Sequence, residues 1–232
     1  MGIISIIRRL LLAAAISGIY AAGAQAATPA EVADKAMEGY SLFMRDSLPD
    51  DRRAGYDLML EAAWEGDAKA ANNIGWLLQQ GEFVEKDTGA ALRWYERAVE
   101  QGLPAASLNY IDLLLSDEYT PGESLPDRKI LAKACMTAGT ALAMGRGLHY
   151  DPRKGEELIL RGALFGDEEG ALTVAQQLEM YPDSFSYLPL ERIAEQCDSL
   201  LRPQDRNMKE GMTPAAFADL MLTPSYWYDR IK

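Results

Sequence analysis

One template occurs three times in this chain: Asp, small residues at +11 and +12, then Gly at +15. The copies are Asp51 to Gly66 (with Ala62 and Ala63), Asp87 to Gly102 (Ala98, Val99) and Asp151 to Gly166 (Gly162, Ala163). The first two start 36 residues apart and the third starts 64 further on. Self-similarity at roughly this period marks a stacked-repeat solenoid, because one short helical unit cannot bury its apolar face without neighbours. Asp suits a turn or a helix N-terminus, where it accepts backbone N–H bonds. Gly closes a helix in the left-handed conformation without Cβ strain. The template therefore punctuates helices, and a solenoid is more often a surface for holding something than a catalytic pocket.

The chain between these marks reads as helix. Thr28-Pro29-Ala30-Glu31 is a helix start with a capping box, running to about Arg45 and breaking at Ser47 to Asp50. From Asp51 to Glu65 the residues Ala54, Leu58, Ala62 and Ala63 fall at helical spacing. Then Ala70, Ile74, Leu77 and Leu78 stripe one helix, Gly81 to Asp87 turn the chain, and Ala91, Trp94, Tyr95, Ala98 and Val99 stripe a second. Small residues at Gly75 and Ala98 let those two backbones approach.

These residues resemble the Sel-one-like repeat, a relative of the tetratricopeptide repeat. Ala70, Ile74, Gly75, Leu78, Gly81, Val84, Asp87, Ala91, Trp94, Tyr95, Arg97, Ala98 and Gly102 occupy its pattern. A second copy runs through Ala134, Ala138, Gly139, Leu142, Gly145, Gly147, Leu148, Asp151, Lys154, Arg161, Ala163 and Gly166. That copy has Leu158 and Ile159 for the Trp-Tyr pair, and Gly155 and Gly162 for Ala. Its second helix is expected to be looser, since interior Gly costs about 1 kcal/mol relative to Ala. The resemblance is strong over 66–102 and 130–166, weaker over 30–66 and topological beyond. It implies an all-α, right-handed α-α superhelix of helix-turn-helix units, in which first helices line the concave face. The expected division is repeats at 30–66, 66–102, a shortened 102–130, 130–166 and a divergent 166–202, then a capping segment at 203–232.

The shortened unit follows from spacing. Ala70 corresponds to Ala106, 36 residues on, but the next equivalent, Ala134, follows after 28. The sequence predicts a helix over about 104–115, an acidic loop at 116–127 in place of a second helix, and a long helix from Asp127 to Met144. The alternative is a shortened second helix near 127–138. Beyond Gly166, helices are expected over 168–180 and 189–201 and from Thr213-Pro214. The aromatics Tyr226, Trp227 and Tyr228 after Thr223-Pro224 read as a cap on the apolar end, or else as an exposed partner anchor.

Residues 1–26 read as an export signal. Arg8 and Arg9 precede an apolar stretch from Leu10 to Ala22, and Ala24-Gln25-Ala26 supplies a small-x-small cleavage site. An uncleaved anchor is the rival, disfavoured by the shortness of the stretch. The expected location is periplasmic, with cleavage near Ala26 and no later membrane span. Without those 26 residues the chain keeps 21 basic and 35 acidic residues, a net charge of −14. Nucleic acid and anionic lipid are disfavoured as partners, because both need clustered Lys and Arg. The charge either seeks a basic partner or keeps the array soluble. Cys135 and Cys197 are the two cysteines: an oxidising compartment allows a disulfide, but their helices are not obvious neighbours, so two buried thiols are the alternative.

Little in the sequence points to catalysis. His149, the one His, lies in the turn from Gly145 to Asp151. No Ser-x-x-Lys occurs, no nucleophile elbow surrounds a Ser, and two Cys with one His at these separations make a poor zinc set. No cofactor is expected. The expected role is a non-catalytic, protein-binding adaptor or regulator of undetermined oligomeric state. The resemblance also implies a sharper alternative, an immunity protein that blocks an antibacterial phospholipase-type effector; a hydrolase is the remote one. Candidate partner-binding residues are Asn73 and Asn109, which hold one register 36 apart, Trp76 and Asp112, which hold another, and Glu118 and Tyr119 in the acidic loop. Trp76 either anchors a partner or packs between adjacent first helices.

Overall fold

A computed structural model describes residues 27–45, 49–120 and 125–231. Residues 1–26, expected to be an export signal, and residues 121–124 of the expected acidic loop lie outside the described residues. The rest is an all-α repeat solenoid with no strand among the described residues. Its helices are α1 (Pro29–Met44), α2 (Pro49–Glu65), α3 (Ala68–Gln80), α4 (Thr88–Glu100), α5 (Pro104–Leu114) and α6 (Arg128–Met144). They continue with α7 (Pro152–Leu164), α8 (Glu168–Met180), α9 (Leu190–Ser199), α10 (Pro214–Met221) and α11 (Pro224–Tyr228).

Side-chain caps set most of the boundaries. Thr28 and Glu31 form the capping box of α1, with the Thr28 N–H donating to Glu31 Oε2 at 2.7 Å. Asp67, Asp87, Asp151 and Asp167 cap α3, α4, α7 and α8 by accepting the N–H three residues on. The first copy of the template departs from this: α2 begins at Pro49, so Asp51 lies in its first turn, where its charge suits the helix dipole. Gly66, Gly102 and Gly166 all have positive φ, at 107°, 76° and 93°. They close α2, α4 and α7.

Antiparallel pairs α1/α2, α3/α4 and α6/α7 are the basic units, and each stacks on the next. Glycine sets how closely they pair. A Cβ on Gly155 would lie 2.8 Å from Gly139 O and from Ala143 N. The expectation of a looser α7 is therefore corrected: Gly155 is where two helix backbones touch, and its missing side chain permits the approach.

Helix α5 has no hairpin partner of its own among the described residues. Residues 115–120 and 125–127 are non-helical, and α6 is one uninterrupted helix from Arg128, which removes the alternative of a short helix hidden near 127–138. With no second helix between them, α4 packs directly on α6. The far end is also rearranged. The loop 181–189, with Pro182 and Pro189, carries the chain away from α8, so α9 packs on α7 and α10 instead of closing a hairpin. The vacant flank of α8 is covered by α11, whose Trp227 is fully buried with its indole N–H donating to Met221 O at 2.7 Å.

Two apolar clusters form the interior. The smaller joins Val32, Phe43, Met59 and Ile74 to Trp94 and Ala106. The larger runs from Tyr95 and Tyr110 through Leu131 and Leu164 to Phe217 and Trp227. They meet along α4 and α5, each of which contributes residues to both.

Candidate functional site

The first helices are α1, α3, α5, α6 and α8, and their register follows from the buried residues Gly39, Gly75, Ile111, Gly139 and Ala175. These positions face inward, so residues one, five and minus two places away turn outward. The position immediately after is exposed in every copy: Tyr40, Trp76, Asp112, Thr140 and Gln176. Two places before stand Met37, Asn73, Asn109, Thr137 and Thr173. Five places after stand Met44, Gln80, Ser116, Met144 and Met180. This outward face is the surface on which the sequence-predicted residues Asn73, Trp76, Asn109 and Asp112 lie.

Most of those residues are engaged within the fold. The Asn109 amide donates to Asn72 Oδ1 at 2.9 Å, tying α5 to α3 through the neighbour of Asn73. Asp112 pairs with Lys154 of α7 at 3.1 Å, and Glu118 pairs with Lys86 at 3.2 Å. Tyr119 is half-buried against the larger core, and burial raises its phenol pKa. Asn73 is half-buried, while Trp76 is 47% exposed. About half of the Trp76 surface is therefore open to solvent.

Sequence reasoning missed the aromatic and methionine side chains beside it. Met37, Tyr40 and Met44 on α1 are 69%, 48% and 61% exposed. Their signal was present in the sequence, since Tyr40 stands 36 residues before Trp76. Trp64 was also missed. Its indole packs edge-on against Trp94 at 4.8 Å on the second-helix side, and the Arg97 guanidinium lies 4.3 Å from its ring centre. The template places Trp64 where the next copies have Glu100 and Leu164, a substitution visible in the sequence.

Between α6 and α8 the face deepens into a cleft of about 550 Å³, lined by Lys133, Met136, Thr137 and Glu169. A second cleft of about 530 Å³ opens beside it, with Arg128, Lys129, Arg206 and Arg230 on its walls. Two of these arginines have structural work. Arg128 Nε donates to Phe165 O at 2.7 Å, and Arg230 Nη2 donates to Leu164 O at 3.2 Å and Asn207 Oδ1 at 2.9 Å. They satisfy carbonyls at the end of α7 that the helix itself leaves without partners.

Arg161 and Asp198 are the buried charged residues among those described, and Asp198 accepts from the Asn207 and Met208 backbone N–H groups. Arg161 is the buried cation. It forms an ion pair with Glu157 at 2.7 Å, donates to Gln196 Oε1 at 2.7 Å, and its Nη1 lies 3.8 Å from Cys197 Sγ. Cys135 and Cys197 are separate buried thiols rather than a disulfide. Burial pushes Cys135 well above the usual thiol range and Cys197 up to about 11, against the opposing pull of Arg161. His149 is exposed in its turn. Among the described residues, no three His, Cys, Asp or Glu side chains converge as metal ligands, and no helix is long and apolar enough to cross a membrane.

No protein-family model matches the chain. Sixty-nine residues, 30% of the chain, are 36% identical to part of Chitin synthase regulatory factor 3 of Schizosaccharomyces pombe; the match spans 7% of that protein's length. Among solved structures, a Sel1 repeat protein from Oxalobacter formigenes is 21% identical, with a TM-score of 0.36 over 76% of this chain and 78% of that one. An immunity protein from Pseudomonas aeruginosa is 19% identical, with a TM-score of 0.37 over 88% of this chain and 81% of that one.

Proposed function

We propose that this protein is a binding module for another protein, and that it receives its partner on the outward face of the first helices. The observation that carries this reading is the register itself: the same face turns outward in five successive first helices, yet its side chains differ from copy to copy. A face needed only for folding would repeat as the Asp caps and Gly ends do. A surface that varies over a constant scaffold is how solenoids present an extended recognition site. The leader at residues 1–26 supports action in the periplasm. The strongly acidic composition supports a partner with basic character.

A photo-crosslinking amino acid at Asn73 or Thr140 tests the reading against one at Glu191, on the surface of α9. Capture of the same protein from the first two positions and not from the third supports it. Equal capture from all three positions rejects it. A narrower role, neutralising an antibacterial phospholipase-type effector, is supported by the resemblance of the repeats to those of secreted immunity proteins. It predicts that the purified chain inhibits such a lipase at equimolar ratio.

A further inference from the structure

Within the reading above, on which this inference rests, one part of the outward face differs from the remainder. On α1 the residues Ala33, Met37, Tyr40 and Met44 follow one another at helical spacing along one face. Trp76 stands on α3, which packs beside α1, at the position equivalent to Tyr40. Both rings are close to half exposed, and Met37 and Met44 more so. Further along, the positions equivalent to Met37 and Tyr40 are Asn109 and Asp112, then Thr137 and Thr140, then Thr173 and Gln176; exposed Met144 and Met180 match Met44, but no aromatic stands at the positions equivalent to Tyr40 and Trp76.

The stripe is not simply the uncovered end of the stack. Terminal repeats need a polar outer side, and α1 has one in Asp34, Glu38 and Ser41, all exposed. The apolar residues lie on a different side, in register with the outward face of α3. Helix α1 therefore has a buried side (Val32, Ala36, Gly39, Phe43), a polar side and a third, apolar side that is left exposed among the described residues. Exposed Met and aromatic side chains together adapt to an apolar partner surface and supply large contact area.

Charge around the stripe selects the occupant. Asp34 and Glu38 flank it on α1. Helices α3 and α5 end without a cation in their last turn, so their negative dipole ends are uncompensated, and they run into Glu82 and Glu85 and into Asp117. The one Lys of the first loop, Lys86, is already paired with Glu118. Lys35 on α1 is paired with Glu61 and Glu65. Arg45, Lys69 and Arg52, the last stacked on Phe43 and Phe83, are the other nearby cations, and the acids Asp34, Glu38, Glu82, Glu85 and Asp117 outnumber them.

We infer that the stripe formed by Met37, Tyr40, Met44 and Trp76 docks a basic amphipathic segment of a partner protein, whose apolar side covers the stripe while its Lys and Arg side chains meet the surrounding acids. This is the helix-in-groove type of recognition, with aromatic anchors at its centre.

The test uses the full chain and two synthetic 14-residue helical peptides, one of Leu and Lys and one of Leu and Glu in the same order. Titration calorimetry is run on the wild type, Tyr40→Ala, Trp76→Ala and, further along the same face, Thr140→Ala and Gln176→Ala. The expected result is that the Lys peptide binds the wild type, that each aromatic substitution raises Kd about tenfold or more with Tm unchanged, and that the Glu peptide binds at least tenfold more weakly. No binding of the Lys peptide, equal binding of both peptides, or indifference to Tyr40→Ala and Trp76→Ala overturns the assignment. Sensitivity to Thr140→Ala or Gln176→Ala alone overturns it while leaving the first-helix face as the site. Indifference to every one of these variants removes that reading as well. Self-association that Trp76→Ala abolishes would make a second copy the occupant and also overturn it.

Discussion

Gly39 and Gly55 meet across the first hairpin so closely that a Cβ on Gly55 would lie 2.6 Å from the Gly39 carbonyl oxygen. Gly139 and Gly155 repeat the contact 100 residues on, in the α6/α7 hairpin. Between these pairs, Gly75 instead receives the ring of Tyr95, so one register position serves two kinds of close packing.

Gly155→Ala separates two opposing effects. Helix propensity alone would stabilise α7 by about 1 kcal/mol. The added methyl meets α6 backbone at both Gly139 and Ala143, and overpacking of this kind costs about 1–3 kcal/mol. Because backbone atoms cannot rotate aside, the expected outcome is a lower urea midpoint. An unchanged or raised midpoint would show that the hairpin opens freely.

The two tryptophans Trp76 and Trp227 should behave oppositely. Trp227→Ala removes a fully buried ring and its hydrogen bond to Met221, a loss of about 3–5 kcal/mol. Trp76→Ala should change stability by no more than about 0.5 kcal/mol. Thermal melts of the two variants, followed by far-ultraviolet circular dichroism, check both.

The caps and glycine ends were the legible part of the fold, because a capping bond is local and needs only residues three apart. Asp87, Asp151, Gly102 and Gly166 act as their spacing implies. The changed count between Ala106 and Ala134 is a local signal of the same kind, and the described residues between α5 and α6 are non-helical. What could not be read locally was the exchange at the end, where α11 replaces α9 beside α8. That choice depends on how far the loop 181–189 carries the chain. Gly155 was misread because helix propensity describes an isolated helix, whereas its role comes from the helix opposite. For the candidate site, the repeat register read from the sequence placed Asn73, Trp76, Asn109 and Asp112 on one helix face, and Trp76 is exposed there. It did not show that Asp112, Asn109 and Glu118 would be occupied by Lys154, Asn72 and Lys86, which come from other elements. Tyr40 was overlooked because the weak first repeat hid its register with Trp76.

Glu96 on α4 provides a pH-dependent measurement. Burial, with Glu100 and Asp127 nearby, raises its pKa above the ordinary carboxyl value. The folded state then holds this proton more tightly than the unfolded state does. Stability from this group is full below the unfolded value and falls as pH rises through the folded one. Glu96→Gln should raise the urea midpoint at pH 7, and the difference from wild type should shrink by about pH 4. A difference that is constant across this range would assign the effect to packing.

The thiols Cys135 and Cys197 should both be masked in the native protein. Buried and protonated at neutral pH, they should react with a disulfide-exchange reagent only after denaturation, and then as two equivalents without prior reduction. No reaction in denaturant would mean that they had been joined.

The meeting of two interiors along α4 and α5 has a kinetic consequence. In a chain whose units touch only their neighbours, opening can begin at one end and stop where the interior changes hands. Amides of α1 to α3 should therefore exchange with solvent through a smaller, cheaper opening than those of α6 to α8. The stripe lies wholly on that more labile part. A partner seated there would close the N-terminal helices against exchange while leaving the distant ones unaltered, so that occupancy would be written as a change in which half of the molecule opens first.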